Sequence, residues 1–383
     1  MPIHAEILDA APLLSEWRRT IHANPEAGFE EVETARFVAD KLNAWGIEVH
    51  EGIGGTGVVG VIRGDRPGPM IGLRAELDAL VMREEGNVAH RSRRPDRFHG
   101  CGHDGHTVML LGAARHLAAH RTFAGTVVLI FQPAEETLRG IAAMLADGLL
   151  ERFPIEEAYA LHNMPSLPKG TIGVRKGAIL SACDAFDITI RGVGGHGAAP
   201  QDCIDPIVVG AALVQGLQTI VSRSIDPLDT AVISAGMFQA GTSPNVIPGE
   251  ATLAGTIRTF SPAVRDTTVA RMRAICDGIA LQYGASITCQ VEGRCPPTVN
   301  DPRAAALVVA AATDVIGAER VNGEVAPAMP SEDFSFLLAR LPGAFVFLGQ
   351  DGAMCHHPEF DFDDTIAPIG ASLFVRIVEL RLA

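Results

Sequence analysis

Short apolar runs that end in carboxylate or imidazole side chains recur along the 383-residue chain. The run 70–73 leads toward Glu76 and Asp78, 126–131 toward Glu135 and Glu136, 158–161 toward His162, and 344–348 toward His356. Nearly continuous apolar runs bounded by polar knots are expected of buried parallel strands. In an open α/β sheet, ligands collect beyond the carboxyl ends of the strands. Four strands that each deliver Asp, Glu or His to that edge predict one shared site. Nearer the N-terminus, Ile7, Leu14, Trp17 and Ile21 fall at helical spacing over residues 5–23, and Pro25 closes the segment.

The middle of the chain follows another pattern. Residues 185–191, 230–237, 251–260 and 285–291 read as strands, and 206–221 and 262–283 as helices. That order, β-α-β-β-α-β, is the ferredoxin-like arrangement. The predicted fold class is therefore α/β: a catalytic domain with a mostly parallel sheet, residues 1–182 and 295–383, interrupted by a ferredoxin-like α+β domain at 183–294. Asp301-Pro302 opens the helix after the insertion, with a capping carboxylate and a proline in the first turn.

Composition narrows the function classes. A net charge of −14 argues against broad binding of nucleic acid or anionic membrane, both of which need a surplus of Lys and Arg. Seven cysteines, an odd number without a C-x-x-C pair, suit thiols kept reduced better than a disulfide framework. No basic stretch followed by an apolar core marks a signal peptide, and no apolar run reaches the roughly 20 residues of a membrane span. The expectation is a soluble cytoplasmic protein. Two glycine clusters, Gly52–Gly57 and Gly192–Gly197, match G-x-G-x-x-G, but a strand follows the first and a loop the second. A dinucleotide site needs a helix there, so both are rejected.

The densest chemistry lies in His99-Gly100-Cys101-Gly102-His103-Asp104-Gly105-His106. Thiolate and imidazole are good ligands for zinc-like divalent ions, and glycines let the backbone fold closely around one. The competing reading is a His-rich loop capped by Asp104 at the start of a helix over 107–119. Glu135-Glu136 adds two carboxylates on an irregular segment, where one can bind a metal while the other handles a proton. His162 and the pair His356-His357 each stand after an apolar strand. Together these side chains are a suitable donor set for one or two transition metals with a carboxylate to spare.

The ordered motifs resemble the aminoacylase/hippurate hydrolase family of metal-dependent amidohydrolases, whose relatives include indole-3-acetyl-amino-acid hydrolases. They are Arg18–Glu26, Leu73–Leu80, Cys101–His106, Phe131–Glu136, Gly194–Ala198, Asn245–Pro248, Gly255–Phe260, Ser331–Phe334 and His356–Asp361. The resemblance implies a metallopeptidase-like catalytic domain holding one or two divalent ions (Zn, Mn, Co or Ni). It places the metal ligands at Cys101, His103, Glu136, His162 and His356, and the general base at Glu135. Of the two adjacent histidines His356 is chosen, because it stands two residues before Pro358. The resemblance also implies that Asp78 orients a ligand. His196 would polarise the scissile carbonyl, in some relatives from a partner subunit, and Asn245 and Arg258 would meet the substrate. Arg258 also shares a strand face with Thr252 and Thr256, away from Leu253 and Ile257. The implied activity is hydrolysis of N-acyl-L-amino acids by metal-activated water with Glu135 as base. The inserted domain is expected to act as a lid and to join copies into a homodimer or higher homo-oligomer. A dipeptidase or carboxypeptidase with the same metal centre is the alternative. Val81, Gly100 and Pro330 depart from the residues usual in the family, without removing a ligand or the base.

Overall fold

The computed structural model describes residues 4–383 and contains two compact units. One comprises Met1–Ile179, Thr298–Pro327 and Glu332–Ala383; the other comprises Leu180–Pro297 and Ala328–Ser331.

An eight-stranded sheet forms the first unit's core, in the order Glu48–Ile53, Gly57–Arg63, Ala124–Gln132, Arg66–Glu76, Glu157–Met164, Gly343–Gly349, Ile172–Gly173, Val321–Asn322. The four apolar runs read from the sequence are its four adjacent central strands, and every pairing among them is parallel. Register aligns Gly72 with both Val128 and Ala158, and Phe347 with His162. All four carboxyl ends therefore open on one edge. Their side chains are buried on both faces, as strands with covered faces require: Ile71, Leu73, Val127, Leu129, Phe131, Phe345 and Leu348 are all inaccessible. Helices His103–Ala119, Ala367–Arg381, Pro302–Ile316 and Ala11–His22 complete this core through Leu110, Leu111, Leu373, Phe374, Val308 and Leu14.

Several local expectations change. The segment 5–23 is two helices, Ala5–Asp9 and Ala11–His22, because Pro12 lacks an N–H and sits in the first turn of the second. The strand holding His162 runs on to Met164, so His162 lies within the ladder. The helix after Cys101 begins at His103, not Thr107, and Asp104 does not cap it. Its N-cap is Gly102, left-handed at φ 94°, where any Cβ would run into the Asn163 side chain.

The second unit is a four-stranded antiparallel sheet in the order Ala231–Ala240, Glu250–Thr259, Ala182–Arg191, Ser286–Cys295, with helices Pro206–Arg223 and Pro262–Tyr283. The β-α-β-β-α-β order and this strand arrangement are ferredoxin-like. By length and composition alone, the 18-residue helix Pro206–Arg223 is apolar enough to cross a membrane. In the fold its Val209, Leu213, Leu217 and Ile220 are buried in the unit's core with Ile188 and Ile257.

Candidate metal centre

Asp78 follows the Arg66–Glu76 strand and is fully buried. Its Oδ1 lies 3.1 Å and its carbonyl oxygen 2.9 Å from His103 Nδ1, while its Oδ2 accepts the Glu136 backbone N–H at 2.9 Å. A proton held on His103 Nδ1 by these acceptors leaves the Nε2 lone pair free to face inward. The same arrangement recurs at His162, whose Nδ1 donates to the Asn163 carbonyl at 2.6 Å and whose Nε2 stands 3.4 Å from Cys101 Sγ.

Glu135 and Glu136 open a single 3-10 turn, Glu135–Thr137, flanked by left-handed Ala134 (φ 52°) and Leu138 (φ 56°). Such angles are unfavourable for residues with a Cβ and persist only where surrounding contacts impose them. Here Glu31 accepts the Ala134 N–H at 2.7 Å. The turn aims Glu135 Oε2 and Glu136 Oε1 at His103 Nε2, each 3.9 Å away. His356, also left-handed at φ 67°, is held by its N–H on the Gly100 carbonyl, 2.7 Å, and places Nε2 3.5 Å from Glu136 Oε2. His357 turns away and its Nδ1 accepts from the Glu359 N–H.

Cys101, His103, Glu135, Glu136, His162 and His356 thus converge at the shared strand edge. Cys101, His103 and His162 offer donor atoms within 4.8 Å of one another. His103 Nε2 and Glu136 Oε1 are buried without any hydrogen-bond partner. Two inward lone pairs left in this state beside a thiol and a second imidazole suit a shared divalent cation.

Burial and neighbouring charges shift the protonation of these groups. Burial pushes Glu135 well above the usual carboxylate range, helped by Glu332, Glu136 and Asp333. Burial likewise carries Glu136 up to about 7, against the pull of His103. The Cys101 thiol is raised by its hydrogen bond with Cys355 and by burial. Burial opposes a charged His103, but the Asp78 hydrogen bond and the fields of Asp78, Glu76 and Glu136 raise it to about 10, so a cation that binds at Nε2 must displace a proton from it.

The sequence reading missed the layer behind this site. Arg74 is fully buried and bonded to Glu76, to Gln132 Oε1 at 2.8 Å, to Glu332 at 2.8 Å and to Asp333 at 3.2 Å. Asp333 in turn accepts from the Ile141 N–H, and Glu76 lies 2.8 Å from His106 Nδ1. Charged residues inside an otherwise apolar run, Arg74 and Glu76, were the available signal. Cys355 was a second omission: Asn163 donates to its Sγ at 3.5 Å, and the thiol lies 3.7 Å from the Cys101 carbonyl.

His196, Asn245 and Arg258 all belong to the second unit. His196 pairs with Val246, and the Gly197 N–H donates to the Asn245 carbonyl at 2.9 Å, so His196 and Asn245 are neighbours. They adjoin the Glu250 end of the Glu250–Thr259 strand, since Gly192 bonds Gly249. Arg258 sits at the other end, between Val232 and Cys183. Arg258 is eight residue steps along the strand from Glu250, about 26 Å at the usual rise. Within one unit, His196 and Arg258 are therefore not brought together.

The fold and this donor-rich strand edge define an amidohydrolase of the metallopeptidase type, and comparison with known proteins agrees. The chain belongs to peptidase family M20/M25/M40, whose model matches residues 72–380. It is 38% identical over 378 residues to a hippurate hydrolase from Campylobacter jejuni, covering 98% of each chain. It is also 38% identical to thermostable carboxypeptidase 2 from Saccharolobus solfataricus, covering 92% of this chain and 91% of that protein. Among solved structures it resembles YXEP of Bacillus subtilis, a dinuclear metal-binding peptidase of the M20 family, with TM-score 0.87, 33% identity, and coverage of 98% of this chain and 99% of that one.

Proposed function

We propose that this chain hydrolyses the amide bond of N-acyl-L-amino acids, using Glu135 as the proton-transfer group. The observation that carries the reading is the pair of buried, unpartnered atoms, His103 Nε2 and Glu136 Oε1, facing one another beside Cys101, His162 and the raised carboxyl of Glu135. Cys101, His103, Glu136, His162 and His356 would hold one or two divalent ions, Zn, Mn, Co or Ni. An ion bound there would supply Lewis acidity and make water a better nucleophile at neutral pH. Glu135 takes a proton from the attacking water and returns it to the leaving amine, a task suited to a carboxyl whose pKa lies above its ordinary value. Asp78 fixes the ring and tautomer of His103 and, through the Glu136 N–H, the turn that carries both glutamates.

For the substrate, His196 polarises the scissile carbonyl beside Asn245, and Arg258 pairs with the free carboxylate. These substrate groups are only a few bonds apart, whereas Arg258 lies about 26 Å along the strand from its Glu250 end, which the His196 loop adjoins. This separation supports a reading in which the two contacts on one substrate come from two copies of the chain. The Ala231–Ala240 strand is an edge of its sheet and exposes Val232, Met237 and Phe238, a surface suited to self-association. In this reading the inserted unit is both lid and dimerisation element.

The relative named carboxypeptidase favours one alternative, cleavage of unblocked peptides by the same centre. Metal analysis with a hydrolysis screen decides. Activity should vanish on chelation, return with Zn, Mn, Co or Ni, and be greater on an N-benzoyl amino acid than on the matching free dipeptide. Undiminished turnover by metal-free protein would reject the metal centre; preference for the dipeptide would reject the substrate class.

A further inference from the structure

A second group of ligating side chains gathers on the helix that begins at His103, at its opposite end. His116 and His120 are four residues apart near the C-terminus of His103–Ala119 and share one face. Glu6, from the Ala5–Asp9 helix, reaches both: its Oε2 lies 2.7 Å from His120 Nε2 and 3.2 Å from His116 Nδ1. His4 also packs on His116, with ring centroids 4.9 Å apart and the rings tilted by 46°, and faces Glu379 across 3.7 Å. Glu6, His116 and His120 form one triad with donor atoms within 4.8 Å of one another, and His4, His116 and Glu379 form another.

We propose that this cluster is a binding site for a divalent transition-metal ion, separate from the centre at Cys101–His356. Mixed imidazole and carboxylate donors suit Zn, Ni or Cu. Two atoms bound tetrahedrally at about 2.0 Å from one ion stand about 3.3 Å apart, and the Glu6–His116 spacing is already close to that. His116 Nδ1 is buried and, 3.2 Å from Glu6 Oε2, has no well-formed hydrogen bond. An ion placed between them would satisfy both atoms. The C-terminal end of the helix carries partial negative charge, which favours a cation.

The site lies about 20 Å from His103 along the helix axis. A bound ion would tie the Ala5–Asp9 helix to His103–Ala119 and, through Glu379, to Ala367–Arg381. The Cys101–His356 donors are untouched by changes here, so ions can be counted against that constant background.

Wild type, His120→Ala and Glu6→Gln are each dialysed against micromolar Zn²⁺ near neutral pH, and bound zinc is measured per folded chain. His120 and Glu6 side chains are 47% and 64% exposed, so neither substitution opens the core. The wild type should hold about one more zinc per chain than either variant, and zinc should raise its Tm further than theirs. Equal zinc counts and equal Tm shifts in all three proteins would overturn the proposal. Should one variant fail to fold, the other decides.

Discussion

Asp78 grips His103 twice, with its side-chain Oδ1 at 3.1 Å and its main-chain carbonyl at 2.9 Å from the same Nδ1. Removing the side-chain charge leaves the carbonyl contact in place, so Asp78→Asn should fold normally. It should nonetheless weaken metal binding by about 10–100-fold, the usual scale for losing a partner that orients a ligand. Competition with a chelator measures this, and unchanged affinity would show that the main chain alone positions His103.

Glu135 and Glu136 are adjacent, yet they face different tasks. Glu135→Gln should retain the bound metal and lose on the order of 10²–10⁴ in kcat. Glu136→Gln should instead lower metal content, because it removes the charge of the carboxylate between His103 and His356. Equal metal content and equal residual rates in the two variants would refute this division.

The substrate contacts predict complementation. A mixed dimer of His196→Ala and Glu135→Gln contains one site with an intact Glu135 and an intact His196 from the other copy. Random exchange between the two inactive proteins should recover about a quarter of wild-type activity. The rate after subunit exchange checks it, with mixed dimers verified by mass. No recovery would mean that each chain completes its own site.

The central sheet was legible because strands buried on both faces read as apolar runs with sharp ends. Those ends also announced Asp78, the Glu135-Glu136 pair, His162 and His356. Arg74 was not legible as a buried hub, because its partners Glu332 and Asp333 lie more than 250 residues away and only the folded sheet brings them together. The left-handed start at Gly102 was hidden by Asp104, which looks like a cap but gives its carboxylate to His22. Periodicity assigned Arg258 to a strand face, yet it could not tell which end of the strand adjoins the His196 loop. That depends on the pairing of His196 with Val246.

His22 and Asp104 form a buried contact at 2.8 Å. Burial opposes charge on His22, but hydrogen bonds to Asp104 and Glu84 and the field of Asp104 raise it from 6.5 to about 9. Because the folded value exceeds the unfolded one, this contribution to stability is full below about 6.5 and drains away as pH rises through about 9. Thermal unfolding across that window should show Tm falling in the wild type and a flatter profile in His22→Gln. Parallel profiles would locate the dependence elsewhere.

The two left-handed residues around the glutamate turn set local robustness against performance. Ala134→Gly would relieve the unfavourable backbone angle and, at φ 52°, should leave stability equal or better by up to about 1 kcal/mol. It would also give the turn conformations that alanine forbids, so the two carboxylates would spend less time aimed at His103. The expected variant is at least as hard to denature and a poorer catalyst, with kcat reduced while unfolding midpoints hold. Selection for thermal endurance alone would then erode this segment first, and selection for turnover would keep it under tension.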